Sequence, residues 1–95
     1  MPNFNQPLVS IITVVFNNDE YIRDAIESVL SQDYSRIEHI VIDGGSTDGT
    51  IDIIKEYSDK ISVFLSEPDE GIFDALNKGI VRSHGEIIGI LHSDD

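Results

Sequence analysis

The 95-residue chain has no cysteine, which excludes a disulfide framework and any thiolate metal site. Bases are scarce: six Lys and Arg stand against eighteen Asp and Glu, a formal charge of −12. A phosphate backbone needs a basic stripe, so nucleic acid is excluded as a partner. An electrostatic hold on anionic lipid fails for the same reason. No apolar run approaches the roughly 20 residues that cross a bilayer. The opening stretch, Met1 to Gln6, lacks the basic start and apolar core of a signal peptide, and a soluble cytoplasmic piece is the expectation. Neither the Gly-x-x-x-x-Gly-Lys-Ser/Thr phosphate loop nor the Gly-x-Gly-x-x-Gly dinucleotide fingerprint occurs. Without cysteine or a Ser/His/Asp grouping, nucleophilic catalysis has no candidate.

What is present is an apolar fraction of 40%, spread well enough for a globular chain. A chain this short forms one domain and buries about two-thirds of its unfolded surface. Residues 1–7 read as a tail and 8–95 as the domain. Residues 8–16 are almost wholly apolar and β-branched, as in a strand covered on both faces. Asn18 or Asp19 then caps a helix over 20–31 with an apolar stripe. Residues 37–42 form a second strand and 49–57 a short helix, capped by Ser46, Thr47 or Asp48. Residues 61–66 form a third strand, which Pro68 prevents from continuing. A third helix spans 72–83; its internal Gly79 permits a close approach, and Gly85 closes it as a left-handed cap. Residues 86–91 make the fourth strand. The order β-α-β-α-β-α-β predicts a parallel, Rossmann-like sheet with helices on both faces.

In open α/β sheets, ligands bind beyond the carboxyl ends of the strands. Here those ends carry Asn17, Asp43, Asp69 and the pair Asp94-Asp95. Asp43-Gly44-Gly45-Ser46 joins an acid, two conformationally free residues and a helix start. Asp43 could accept hydrogen bonds from a base or ribose; the same string is also what a tight capped turn contains. Asp94 and Asp95 suit Mg²⁺ or Mn²⁺, hard cations shared with substrate phosphates, or they are a solvated acidic end. Phe16 could stack on a base or serve as core. Asn77 and Lys78 could reach a ligand or line a solvated helix face. His39, His84 and His92 read as ordinary hydrogen-bonded residues.

Several motifs in fixed order resemble family 2 glycosyltransferases with the GT-A fold. They are the strand ending Val14-Val15-Phe16-Asn17 and the stretch Ile26-Glu27-Ser28-Val29-Leu30-Ser31-Gln32. Val41-Ile42-Asp43-Gly44-Gly45-Ser46-Thr47-Asp48-Gly49-Thr50 and Asp69-Glu70-Gly71-Ile72-Phe73-Asp74-Ala75-Leu76-Asn77-Lys78-Gly79 follow, and Leu91-His92-Ser93-Asp94-Asp95 comes last. The resemblance implies transfer of a sugar from a nucleoside-diphosphate sugar, usually with inversion, in surface polysaccharide or glycolipid synthesis. Phe16, Asn17, Asp43, Gly44, Asp69, Asn77 and Asp94 would hold the nucleotide sugar, and Asp95 with Asp94 the divalent metal, Mn or Mg. The acceptor would be a saccharide or a lipid-linked saccharide. The resemblance also implies an acceptor-binding half beyond residue 95 that supplies the catalytic base. This chain would then be a donor-binding fragment, inactive alone and prone to self-association through uncovered apolar surface. The longer protein would work in the cytoplasm at the inner face of the membrane. Two departures stand out: Gly44 replaces an acid that often contacts the base, and His92 replaces the opening acid of the last motif. The competing classes are a Mg-dependent phosphohydrolase and a non-enzymatic Mg-binding α/β module.

Overall fold

The structure, a computed structural model, describes residues 6–92. Its elements are β1 (Val9–Val15), α1 (Asp19–Leu30), β2 (Ile37–Asp43), α2 (Thr50–Glu56), β3 (Val63–Ser66), α3 (Ile72–Ile80) and β4 (Ile87–His92). The strands form one parallel sheet in the order β3-β2-β1-β4. The predicted alternation and strand direction therefore hold, and β1 occupies a central position as its apolar run requires.

The pleat sends alternate residues to opposite faces. Ile12, Val14, Ile40 and Ile42 pack with Ala75 of α3 on one side. Val15 and Val41 pack with Ile22, Ile26 and Ile54 of α1 and α2 on the other. Helix cover thins over β4, where Ile87, Ile88 and Ile90 remain exposed; β4 pairs with β1 alone.

Two glycines are explained by close approach. At Gly79 a methyl group would lie 2.5 Å from Ile12 Cγ2, so α3 settles on β1 only because that position is bare. Gly79→Ala is expected to destabilise the chain by about 1–3 kcal/mol through overpacking, although alanine favours helix by about 1 kcal/mol. The urea midpoint of the variant checks this: a raised midpoint would mean the helix propensity dominates.

Gly85 corrects an expectation. α3 ends at Ile80 with Val81 as its cap, and the positive-φ glycines among the described residues are Gly45 and Gly71. Gly85 instead passes over β1, where an added Cβ would sit 2.5 Å from Ser10 Oγ and 2.7 Å from Ser10 N. Its amide donates to Ser10 Oγ at 2.8 Å, and Ser10 Oγ donates to Glu38 Oε1 at 2.8 Å. Glu38 also accepts from the His84 amide at 2.8 Å and meets His84 Nδ1 at 2.7 Å. Burial opposes ionisation of Glu38, but the His84 amide and ring and the Ser10 hydroxyl outweigh it, holding the carboxyl below its usual range. This clasp fixes the end of the sheet opposite the strand carboxyl termini.

Candidate functional site

The carboxyl ends of the strands hold a cleft of about 340 Å³ lined by Val14, Val15, Phe16, Asp69, Gly71, Ile72, Ala75 and His92. Its walls are the end of β1, the start of α3 and the last residue of β4. Phe16 leaves β1 with 58% of its surface exposed, so its ring is available to a flat ligand rather than spent in the core.

Beneath the cleft, Asp43 is fully buried. One carboxylate oxygen accepts from the amides of Gly45 (3.0 Å) and Ser46 (2.8 Å) and from Ser66 Oγ (2.8 Å). The other accepts from Ser46 Oγ at 2.5 Å. The part this geometry shows for Asp43 is to hold the β2–α2 loop. The charge is consumed in shaping the β2–α2 loop, since a buried carboxylate is tolerable only when donors surround it.

Asn17 serves the same loop. It takes φ of +47°, a left-handed conformation that asparagine tolerates better than most residues. Its amide donates to Ser46 Oγ at 2.8 Å, and its Oδ1 accepts from the Thr47 amide at 2.7 Å. Asn18 Oδ1 caps α1 through the Tyr21 amide, and the Asn18 amide donates to Thr50 Oγ1. No side chain caps α2, whose N-cap is Gly49; Asp48 instead accepts from the Thr50 amide at 2.9 Å.

Gly44 and Asp69 meet at the rim. A Cβ at Gly44 would lie 2.8 Å from Asp69 Oδ2 and 3.3 Å from Phe16 Cδ1. Gly45, at φ +90°, packs against Pro68. Lys78 ties the β3–α3 loop to its helix: Nζ donates to the Pro68 carbonyl at 3.1 Å and pairs with Glu67 at 3.2 Å and Asp74 at 3.4 Å. Asp69 Oδ1 accepts from the Gly71 amide at 3.0 Å, and Asp74 accepts from the Glu70 amide at 3.0 Å.

Of the residues expected at the site, Phe16, Gly44 and Asp69 converge on the cleft, while Asn17 and Asp43 build its support. Asn77 is exposed on α3 outside the cleft lining. Asp94 and Asp95 lie outside the described residues, among which no group of three or more His, Asp or Glu side chains is gathered for a metal. Sequence reasoning missed Ser66, although strand register places it beside Asp43. It treated Ser46 only as a helix cap and His92 as an ordinary residue, whereas His92 lines the cleft.

An open parallel sheet with its cleft at the strand carboxyl ends defines an α/β unit of the ligand-binding, doubly wound kind. Residues 10–95 match the model of glycosyl transferase family 2, and the chain belongs to that family. An uncharacterized glycosyltransferase of Mycobacterium tuberculosis is 42% identical over 90 residues, covering 94% of this chain and 34% of its own length. TuaG of Bacillus subtilis, assigned by name to teichuronic acid biosynthesis, is 41% identical over 93 residues, covering 95% and 37%. Among solved structures, the mannosyltransferase PcManGT of Pyrobaculum calidifontis, in complex with GDP-Man and Mn²⁺, superposes with a TM-score of 0.86. It is 26% identical, over 96% of this chain and 28% of that one. Residues 1–349 of Staphylococcus aureus TarS, in complex with UDP, give 0.78 at 26% identity, over 92% and 27%. The chain thus spans about a third of the length of the relatives it matches.

Proposed function

We propose that this chain forms the donor-binding part of an enzyme that moves a sugar from a nucleoside-diphosphate sugar to a saccharide or lipid-linked acceptor. The observation that carries this reading is the cleft itself. An exposed aromatic ring and one fixed carboxylate face it at the carboxyl ends of parallel strands, in a member of a glycosyltransferase family. The complexes of PcManGT with GDP-Man and Mn²⁺ and of TarS with UDP support it.

In this reading Phe16 supplies a face for the base, Asp69 an acceptor at its edge, and the loop held by Asp43 and Asn17 keeps both in place. Preformed walls reduce the ordering cost of binding. By residue type, Asp94 and Asp95 would offer the oxygen ligands that Mn²⁺ or Mg²⁺ takes. When bound, such an ion would neutralise charge on the diphosphate leaving group. The catalytic base lies outside this donor-binding part, transfer proceeds with inversion, and the name of TuaG supports a surface polysaccharide as product.

Calorimetric titration with UDP and GDP, each with and without Mn²⁺, tests the reading. Saturable binding of one nucleotide that weakens at least about tenfold without metal or in Asp95→Ala is the expected result. A folded chain that binds neither nucleotide under any condition overturns it.

A further inference from the structure

β4 ends on the cleft residue His92, yet little in the strand itself fixes where along β1 it lies. Among the described residues β4 pairs with β1 alone. Ile87 on one of its faces and Ile88 and Ile90 on the other are all exposed, and burial specifies register only where one face must be hidden. Gly89 weakens the specification further. It stands opposite Ile11, beside a groove of about 190 Å³ lined by Ile11, Ser28, Val29, Gln32 and Leu91. A Cβ there would meet Ile11 Cγ1 at an ordinary 3.9 Å and nothing nearer. A slip of two residues keeps the pleat in phase and brings Ile87 or Leu91 opposite Ile11, where the groove has room for a side chain.

What separates these registers is the clasp at the start of the strand. A Cβ on Gly85 would lie 2.5 Å from Ser10 Oγ and 2.8 Å from the Leu8 carbonyl oxygen. A two-residue slip would put Ser83 or Ile87 in that seat, where a side chain collides. The seat is held from beneath. Ser10, fully buried, accepts from the Gly85 amide and donates to Glu38 Oε1. Glu38 also accepts from the His84 amide and meets the His84 ring, and the Glu86 amide donates to the Leu8 carbonyl at 2.8 Å. Glu38 belongs to β2, so the entry to β4 is tied across β1 to the second strand.

Building on the donor-binding reading above, we propose that Glu38 is a positioning residue for the donor site: through Ser10, His84 and Gly85 it sets the register in which β4 reaches the cleft. It touches no ligand, since it lies at the opposite end of the sheet. Strand geometry converts register into distance, and a slip of two residues moves the end of β4 by about 6–7 Å. In the donor-binding reading the acids that would hold the divalent ion directly follow His92. A misplacement of about 1 Å can cost about a hundredfold, so a slipped β4 contributes nothing to the site.

The test joins nuclear Overhauser contacts between β1 and β4 to titration of the 95-residue chain with UDP and GDP, each with and without Mn²⁺. Wild type is expected to show one register, with Ile11 opposite Gly89. Glu38→Ala, a change outside both buried clusters, is expected to add a second set of contacts that places Ile11 opposite Ile87 or Leu91, while the β1–β2 contacts persist. Its affinity for the favoured nucleotide in Mn²⁺ should fall at least about tenfold, with metal-free affinity held within about threefold. Ser10→Ala, which removes the hydroxyl shared by Gly85 and Glu38, should act in the same direction. Glu38→Gln keeps an acceptor for Ser10 and the His84 amide and should restore both readouts. A merely structural role would lower the urea midpoint and leave Ile11 opposite Gly89. A single register in both Glu38→Ala and Ser10→Ala, or a split register with affinity in Mn²⁺ unchanged, overturns the assignment and leaves the donor-binding reading standing. Failure of UDP and GDP to bind the folded wild type overturns both.

Discussion

Asp43→Ala is expected to cost about 3–5 kcal/mol of stability and to abolish nucleotide binding in whatever fraction stays folded. The carboxylate satisfies two backbone amides of its own loop and the hydroxyls of Ser46 and Ser66. Removing it leaves these donors facing a cavity, and each unsatisfied buried group costs about 1–3 kcal/mol. Some will recruit water, which keeps the total below the sum. Asp43→Asn is the informative control: it preserves volume and one acceptor but places an NH₂ either where three of the four donors converge or where the Ser46 hydroxyl donates. It should recover less than half of the loss. Urea denaturation of the three proteins decides the matter. A cost below about 1 kcal/mol for alanine would show that the loop is held by Asn17 and the Pro68 contact instead.

That result bears on what the sequence could reveal. Element order, strand direction and the position of the cleft follow from hydrophobic periodicity and the rule for parallel sheets, and the structure agrees. Gly79 was legible too, because a glycine inside an otherwise good helix needs a reason. The division of labour among acids was not. Asp43 and Asp69 have the same side chain and both follow a strand. Only the three-dimensional path of the loops shows that one faces inward onto amides and the other outward onto a cleft. Gly85 misled for a related reason: a glycine after a helix reads as a cap, yet the constraint came from Ser10, 75 residues earlier. Long-range contacts of this kind leave no local spacing to read. The family motif, by contrast, was readable because it preserves the order of several such contacts at once.

The second large effect is one of pH. His39 lies inside β2 with 3% of its surface exposed. Its Nε2 meets Thr13 Oγ1 at 2.8 Å, but Nδ1 is buried with no partner. A neutral ring can leave a bare lone pair there, whereas an imidazolium would carry an N–H at Nδ1 with nothing to accept it. Burial accordingly pushes the pKa of His39 down to about 4, against about 6.5 for an unfolded histidine. Between those values the unfolded chain takes up a proton that the native chain refuses, so stability rises with pH across this window. The contribution is fully present above pH 6.5 and is lost as pH falls toward 4. It amounts to about 3 kcal/mol, taking 1.36 kcal/mol per pKa unit. Urea denaturation at steps from pH 7 to 4.5 should show the wild type losing stability faster than His39→Gln. The glutamine keeps a hydrogen-bonding partner for Thr13 and has no proton to gain. Other titrating groups are common to both proteins and cancel in the difference. At pH 7 the variant is expected to be the weaker protein, having lost the packing of the ring, and the gap should narrow on acidification. Parallel pH curves would mean that the fold opens enough to hydrate His39 before it protonates.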